Sequence, residues 1–283
     1  MSRILWDQLA AMNTHYFHYP FEYFLETQKE FSIKKLELWG AVPHLWIDHT
    51  GYESPAGLLT QAKELGMDFA AHTPRPYGYS LCVPERGCQK ENSMSYYKNC
   101  VDVTHEIQAP YLCLNFVGGC FDYAPGILWD SCRESLKELC RYAQGRGVQI
   151  ALGTVSSEDG TILGTLPKLV QMIREVQEEN LKALLDTYVI SQAKETIDQW
   201  FTVLGEKIVH IHFTDGRNAS PRIWGEGIYP LRQYLNALAQ KGYSGALGMP
   251  FLDERYWDNP RQADKTNYTR LLKFCPKGWE ADG

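Results

Sequence analysis

The sequence predicts a single-domain α/β protein, a (β/α)8 barrel spanning residues 1–283. Three observations carry this reading. Short apolar runs recur along the chain, each followed by a longer stretch of helical pattern, and that alternation builds a parallel sheet with helices packed outside it. No Ser/Gly/Pro-rich linker, charge block or low-complexity segment divides the chain. No Gly-rich dinucleotide turn follows the first run, which removes the main argument for a doubly wound sheet.

The strands are expected at LAAMN (9–13), KKLELWG (34–40), DFAAHT (68–73), PYLCLNF (110–116), VQIALG (148–153), LKALLD (181–186), KIVHIHF (207–213) and GALGMPF (245–251). Between them, helix ends are written in local chemistry. Ser54-Pro55 opens a helix that closes before Gly66, with Ser as the cap and Pro at the first helical position. The amphipathic stretch from about Gly126 to Gly147 ends in two glycines. LRQYLNALAQKGY starts after Pro230 and stops at Gly242, and Asn259-Pro260 opens the last helix.

Composition narrows the function. A net charge of −6 offers no basic face to neutralise phosphates, so neither nucleic acid nor an anionic membrane surface is an expected partner. No apolar run approaches the ~18 residues of a membrane span, and MSRILWDQLAAMN has no basic region followed by a long hydrophobic run, so it is not a signal peptide. The eight cysteines contain no C-x-x-C pair; they suit free thiols in a reducing, cytoplasmic setting.

In a barrel of this kind chemistry sits at the C-terminal strand ends. These ends are rich in aromatic and polar groups, as a small-molecule carbohydrate pocket would be, with ring faces against sugar C–H groups and polar tips reading hydroxyls. Trp39, His18, Tyr77 and Arg217 are taken from them as substrate-binding candidates. Arg222 shares the loop DGRNASPRIWGEG with Arg217, and the loop is either a pocket wall or an ordinary surface loop. His210 and His212 lie two apart on one strand and so point to one face, His212 nearer the mouth and the stronger candidate. Glu37 should face the interior too, where a carboxylate needs hydrogen bonds or a cation; it either belongs to a polar network or touches substrate. His72, at a strand tip, contacts substrate or bonds a neighbouring backbone group. Asp186 is a helix cap, a metal ligand or a hydroxyl acceptor.

KLELWGAVPHLW (35–46), HTPRPYGYS (72–80), LKELCRYAQGRGVQIAL (136–152), LLDTYVISQ (184–192), GEKIVHIHFTDG (205–216) and WGEGIYPLRQYLNALAQKGYSG (224–245) follow one another in an order and spacing that resembles the xylose-isomerase-like TIM barrels. Within these, the sequence is most similar to the fructoselysine 3-epimerase and tagatose 3-epimerase branches. The resemblance implies a sugar isomerase or epimerase, with a divalent metal such as Mn²⁺ or Mg²⁺ and a homo-oligomeric assembly. It implies metal ligands at four strand ends: Glu on the fifth, Asp on the sixth, His on the seventh and Glu on the eighth. The two glutamates are also the acid–base pair that moves a proton beside the carbonyl carbon.

Carried over residue by residue, the resemblance places Asp186 and His212 as metal ligands. The fifth-strand glutamate falls on Gly153, and the eighth-strand glutamate on Pro250, or on Met249 if the register slips by one. A substrate-binding His three residues after the Asp is Val189 here. Two side-chain ligands are few for a divalent ion, and loss of one general base alone costs about 10²–10⁴ in rate. Two readings follow. In one, a rebuilt epimerase site draws on Glu158, His72 and Asp215 as catalytic groups. In the other, the barrel binds a carbohydrate or a partner subunit without turning it over. The related endonuclease IV barrels need several metal ligands and a basic DNA face, and this chain offers neither.

Overall fold

Each expected apolar run contains a strand in the computed structural model, which describes residues 3–75, 78–84, 88–115, 123–155, 162–217 and 220–276. The barrel strands are β1 (Leu9–Met12), β2 (Lys35–Gly40), β3 (Asp68–Pro74), β4 (Tyr111–Leu114), β5 (Gln149–Leu152), β6 (Leu181–Asp186) and β7 (Ile208–His212). Two short antiparallel strands, β8 (Asp215–Arg217) and β9 (Ser220–Arg222), form a hairpin that the sequence did not announce, so the last barrel strand is β10 (Leu247–Met249). The order β1-β10-β7-β6-β5-β4-β3-β2 closes on itself, all barrel pairs being parallel.

The helices form where the end signals lie, within a residue or so. The helix α2 (Ala56–Glu64) starts one position later than expected: Pro55 is its cap residue, and Ser54 Oγ accepts from the Ala56 amide at 3.4 Å. Helix α4 (Pro125–Gln144) has Pro in its first turn and Gly145 at its end, and buries Leu128, Cys132, Leu136, Leu139, Cys140 and Ala143 along one stripe. Helix α9 (Pro260–Leu271) is capped by Asn259, whose side chain accepts from the Gln262 amide at 3.2 Å. Helix α6 (Thr187–Gln192) is capped by Asp186. No helix among the described residues is long and apolar enough to cross a membrane.

Strand alternation splits the apolar side chains into two bodies. The larger lies between barrel and helices; the smaller, made of Ala71, Cys113, Ala151 and Leu184, lies inside the lumen. Three of these, Ala71, Cys113 and Ala151, are small and leave room for the polar groups of β2, β6 and β7. Gly248 shows how tight the space is. A Cβ on it would fall 1.9 Å from Glu37 Oε2 and 2.9 Å from His210 Nε2, so only glycine lets the carboxylate pass.

Candidate functional site

The lumen is organised around Glu37, which is fully buried. Its Oε2 accepts from His210 Nε2 at 2.8 Å and its Oε1 from His212 Nε2 at 2.9 Å, while the Thr73 hydroxyl donates to Oε1 at 2.6 Å. His212 Nδ1 in turn donates to Asp186 Oδ2 at 3.3 Å. Both His212 partners are carboxylates, which only accept when ionised, so both ring nitrogens carry protons. Burial pushes Glu37 up and His212 down. Their mutual attraction and hydrogen bonds, with His210 and Asp186, overcome it and hold Glu37 well below and His212 well above the ordinary range. The result is a buried ion pair with its charges compensated. Cys113 completes the cluster: its thiol and one donor atom each from Glu37, His210 and His212 all lie within 4.8 Å of one another. Burial lifts the Cys113 thiol to about 11.

The four strand ends expected to hold a metal are arranged differently. Asp186 spends Oδ1 on the amides of Tyr188 (2.8 Å) and Val189 (3.2 Å), and Oδ2 on His212. At Gly153, the Asn115 side chain fills the vacant volume: a Cβ on Gly153 would fall 2.1 Å from Asn115 Oδ1. That oxygen is buried and makes no hydrogen bond to a described residue. Pro250 lies two residues beyond Gly248, on the lumen face, whereas Met249 turns outward, its sulfur 3.4 Å from Asn267 Nδ2 on α9. The slipped register is therefore not the one adopted. No carboxylate pair stands there, since 153 is glycine and 250 proline, and the residues at these four ends do not fit the expected oxygen-rich Mn²⁺ or Mg²⁺ centre.

The other candidates scatter. His72 turns out of the barrel and takes the backbone bond rather than the catalytic or substrate role: Nδ1 meets the Cys100 carbonyl at 3.2 Å and Thr104 Oγ1 at 2.8 Å on α3 (Gln89–Glu106), and Nε2 faces Gly40. Burial pushes its pKa down to about 4. Asp215 is equally buried and fully engaged, because its two oxygens accept from the amides of Gly216, Gly225, Gly227 and Tyr229 at 2.8–2.9 Å. It ties the loop after β7 together. Trp39 shares the face of Glu37 and is half-buried at the strand end, while His18 is exposed on the rim beside Phe17 and Trp257. Arg217 is exposed on the hairpin, and Arg222 pairs with Asp253 at 2.9 Å. Glu158 and Tyr77 lie outside the described residues.

Thr73, Cys113 and Asn115 were not singled out from sequence. Strand alternation could have found Cys113 and Asn115, two apart on one face of PYLCLNF; the register shift in β3 hides Thr73 from it. Beside the mouth, Trp46, Tyr79, Tyr96 and Arg75 line a cleft of about 130 Å³ with Gly40 at its edge.

Comparison with known proteins agrees with this architecture. Residues 32–271 match the model of the xylose isomerase-like TIM barrel family. The chain is 25% identical to the fructoselysine 3-epimerase of Shigella flexneri over 266 residues, covering 91% of this chain and 94% of that one. A D-psicose 3-epimerase of Ruminiclostridium cellulolyticum is 26% identical over 125 residues, covering 44% of this chain and 42% of that one. The solved D-psicose 3-epimerase with D-tagatose from Clostridium cellulolyticum H10 superposes with a TM-score of 0.72 at 17% identity, covering 96% and 97% of the two chains. The IOLI protein with a bound zinc atom gives 0.77 at 17% identity, covering 96% and 99%.

Proposed function

The chain belongs to the xylose isomerase-like TIM barrel family, and on that premise we propose that its mouth binds a sugar or sugar derivative without the metal-assisted, two-carboxylate proton transfer that the resemblance implies. The observation that carries this is the Asn115 side chain packed onto Gly153, with the Cβ position 2.1 Å from its Oδ1. A glutamate cannot be fitted at 153 unless Asn115 leaves. The engagement of Asp186 and His212 with each other supports the same reading. Sugar recognition is supported by the half-buried Trp39 at the strand end and by the aromatic cleft of Trp46, Tyr79 and Tyr96. The relatives act on sugars by their names, fructoselysine and D-psicose. The described cysteines are free, which suits a cytoplasmic protein.

The test is calorimetric titration with fructoselysine, D-psicose, D-fructose and D-tagatose, paired with deuterium uptake beside the carbonyl in D₂O, with and without Mn²⁺. At least one sugar should bind, and none should take up deuterium above the blank. Mn²⁺-dependent uptake would overturn the proposal, and so would the absence of binding across the panel. Metal-independent uptake lost on Glu158→Gln would point instead to the rebuilt epimerase site.

A further inference from the structure

We propose that the lumen cluster Glu37, Cys113, His210 and His212 is a buried site for a thiophilic divalent cation, zinc being the natural occupant. It lies below the strand ends and shares only His212 with the arrangement implied by the resemblance. The proposal is independent of what the mouth binds.

Four arguments converge on it. The donors are two imidazoles, a carboxylate and a thiol, one ligand atom of each within 4.8 Å of the others. Ligands at 2.0–2.3 Å around tetrahedral zinc stand roughly 3.3–3.8 Å apart, so modest side-chain adjustment brings this set to zinc geometry. Secondly, the set balances charge: one carboxylate and one thiolate neutralise a dication, which a fully enclosed lumen requires. On binding, the ion takes the place of two protons, one from the Cys113 thiol and one from the His212 imidazolium, and both leave to solvent.

The third argument is support from outside the ligand set. His212 Nδ1 donates to Asp186 Oδ2 at 3.3 Å, which turns Nε2 toward the cluster, and Thr73 holds Glu37 Oε1 at 2.6 Å. A carboxylate behind a metal-bound histidine fixes the ring and its tautomer. Asp186 is then a positioning residue and not a ligand. The fourth is softness. Sulfur with nitrogen selects zinc or cobalt over Mg²⁺ and Mn²⁺, which prefer oxygen.

The experiment uses the full-length protein, stripped with a chelator and titrated with Co²⁺, whose spectrum reports its ligands, and with Zn²⁺ and Mg²⁺ in competition. One equivalent of Co²⁺ should give visible bands of tetrahedral type together with a near-ultraviolet thiolate band. Zn²⁺ should displace it and Mg²⁺ should not. Cys113→Ser should remove the thiolate band. Asp186→Asn should keep it, with affinity reduced about 10–100-fold. Failure of the folded wild-type protein to bind Co²⁺ would overturn the site, as would binding without a thiolate band. A thiolate band that survives Cys113→Ser would assign it to another cysteine and overturn it equally. Cobalt lost on Asp186→Asn but unaffected by Cys113→Ser would place the ion at the mouth.

Discussion

The ends of β3 and β7 each carry a buried histidine, and the two are driven to opposite charge states. His212 looks into the lumen between two carboxylates and is held protonated. His72 looks the other way, toward Cys100 and Thr104 of α3, where no carboxylate bonds it and burial keeps it neutral. Residue type and burial are the same. What differs is strand parity, which decides whether a side chain meets the lumen or the helix layer. The lumen and its rim share one feature: each keeps a buried polar atom without a partner among the described residues, His210 Nδ1 below and Asn115 Oδ1 beside Gly153.

The largest effect should come from removing the charge that sets His212 apart. Glu37→Ala leaves His212 and His210 without their common acceptor, and the loss from a broken buried pair is about 3–5 kcal/mol. Urea unfolding at neutral pH measures it; a change below about 1 kcal/mol would mean that the lumen pair holds little of the fold together.

His72 supplies the matching test on the other side. The unfolded chain takes up the proton near 6.5 and the folded one near 4, so the unfolded state binds more protons between those values. Stability should therefore be unaffected by this group above about pH 6.5 and fall as the pH drops toward 4, by about 3 kcal/mol in all. His72→Leu should flatten that part of the unfolding profile. An unchanged slope would assign the acid sensitivity to other groups.

Smaller effects follow from the two glycines that abut these sites. A Cβ at Gly40 would lie 2.3 Å from His72 Nε2, on a ring already held by Thr104. Gly40→Ala should cost about 1–3 kcal/mol, read as a lower thermal midpoint. At Gly153 the obstacle is the far end of Asn115, which can swing away. Gly153→Ala should cost about 1 kcal/mol or less, and Asn115→Ala should remove even that penalty in a double-mutant cycle; a penalty that persists would locate the obstacle in Leu184, 3.3 Å from the same point.

Much of this was legible before any coordinates. The period-two runs and the Ser-Pro, Gly and Asn-Pro punctuation specify strands and helices because those signals act over a few residues. The inward pairing of His210 with His212 follows from the same periodicity. Of the two roles open to His72, the backbone bond is the one adopted, and the reason it faces away from the lumen is a register shift: Leu36 pairs with Phe69 but Glu37 with Ala71, so Ala70 is skipped and the faces of DFAAHT exchange beyond it, which simple alternation does not foresee. Asp215 was legible as a polar group at a strand end, but the four amides that engage it come from a loop folded back over it.

By itself the sequence determined the alternating elements, the barrel they build, and the absence of glutamates at 153 and 250, because each of these is a property of local spacing. Only the tertiary structure decided which groups meet. Glu37 reaches His210 across 173 positions, and Asn115 comes to rest on Gly153 from the neighbouring strand. Such contacts depend on closure, register and the volume left inside the barrel, which no short stretch of chain encodes.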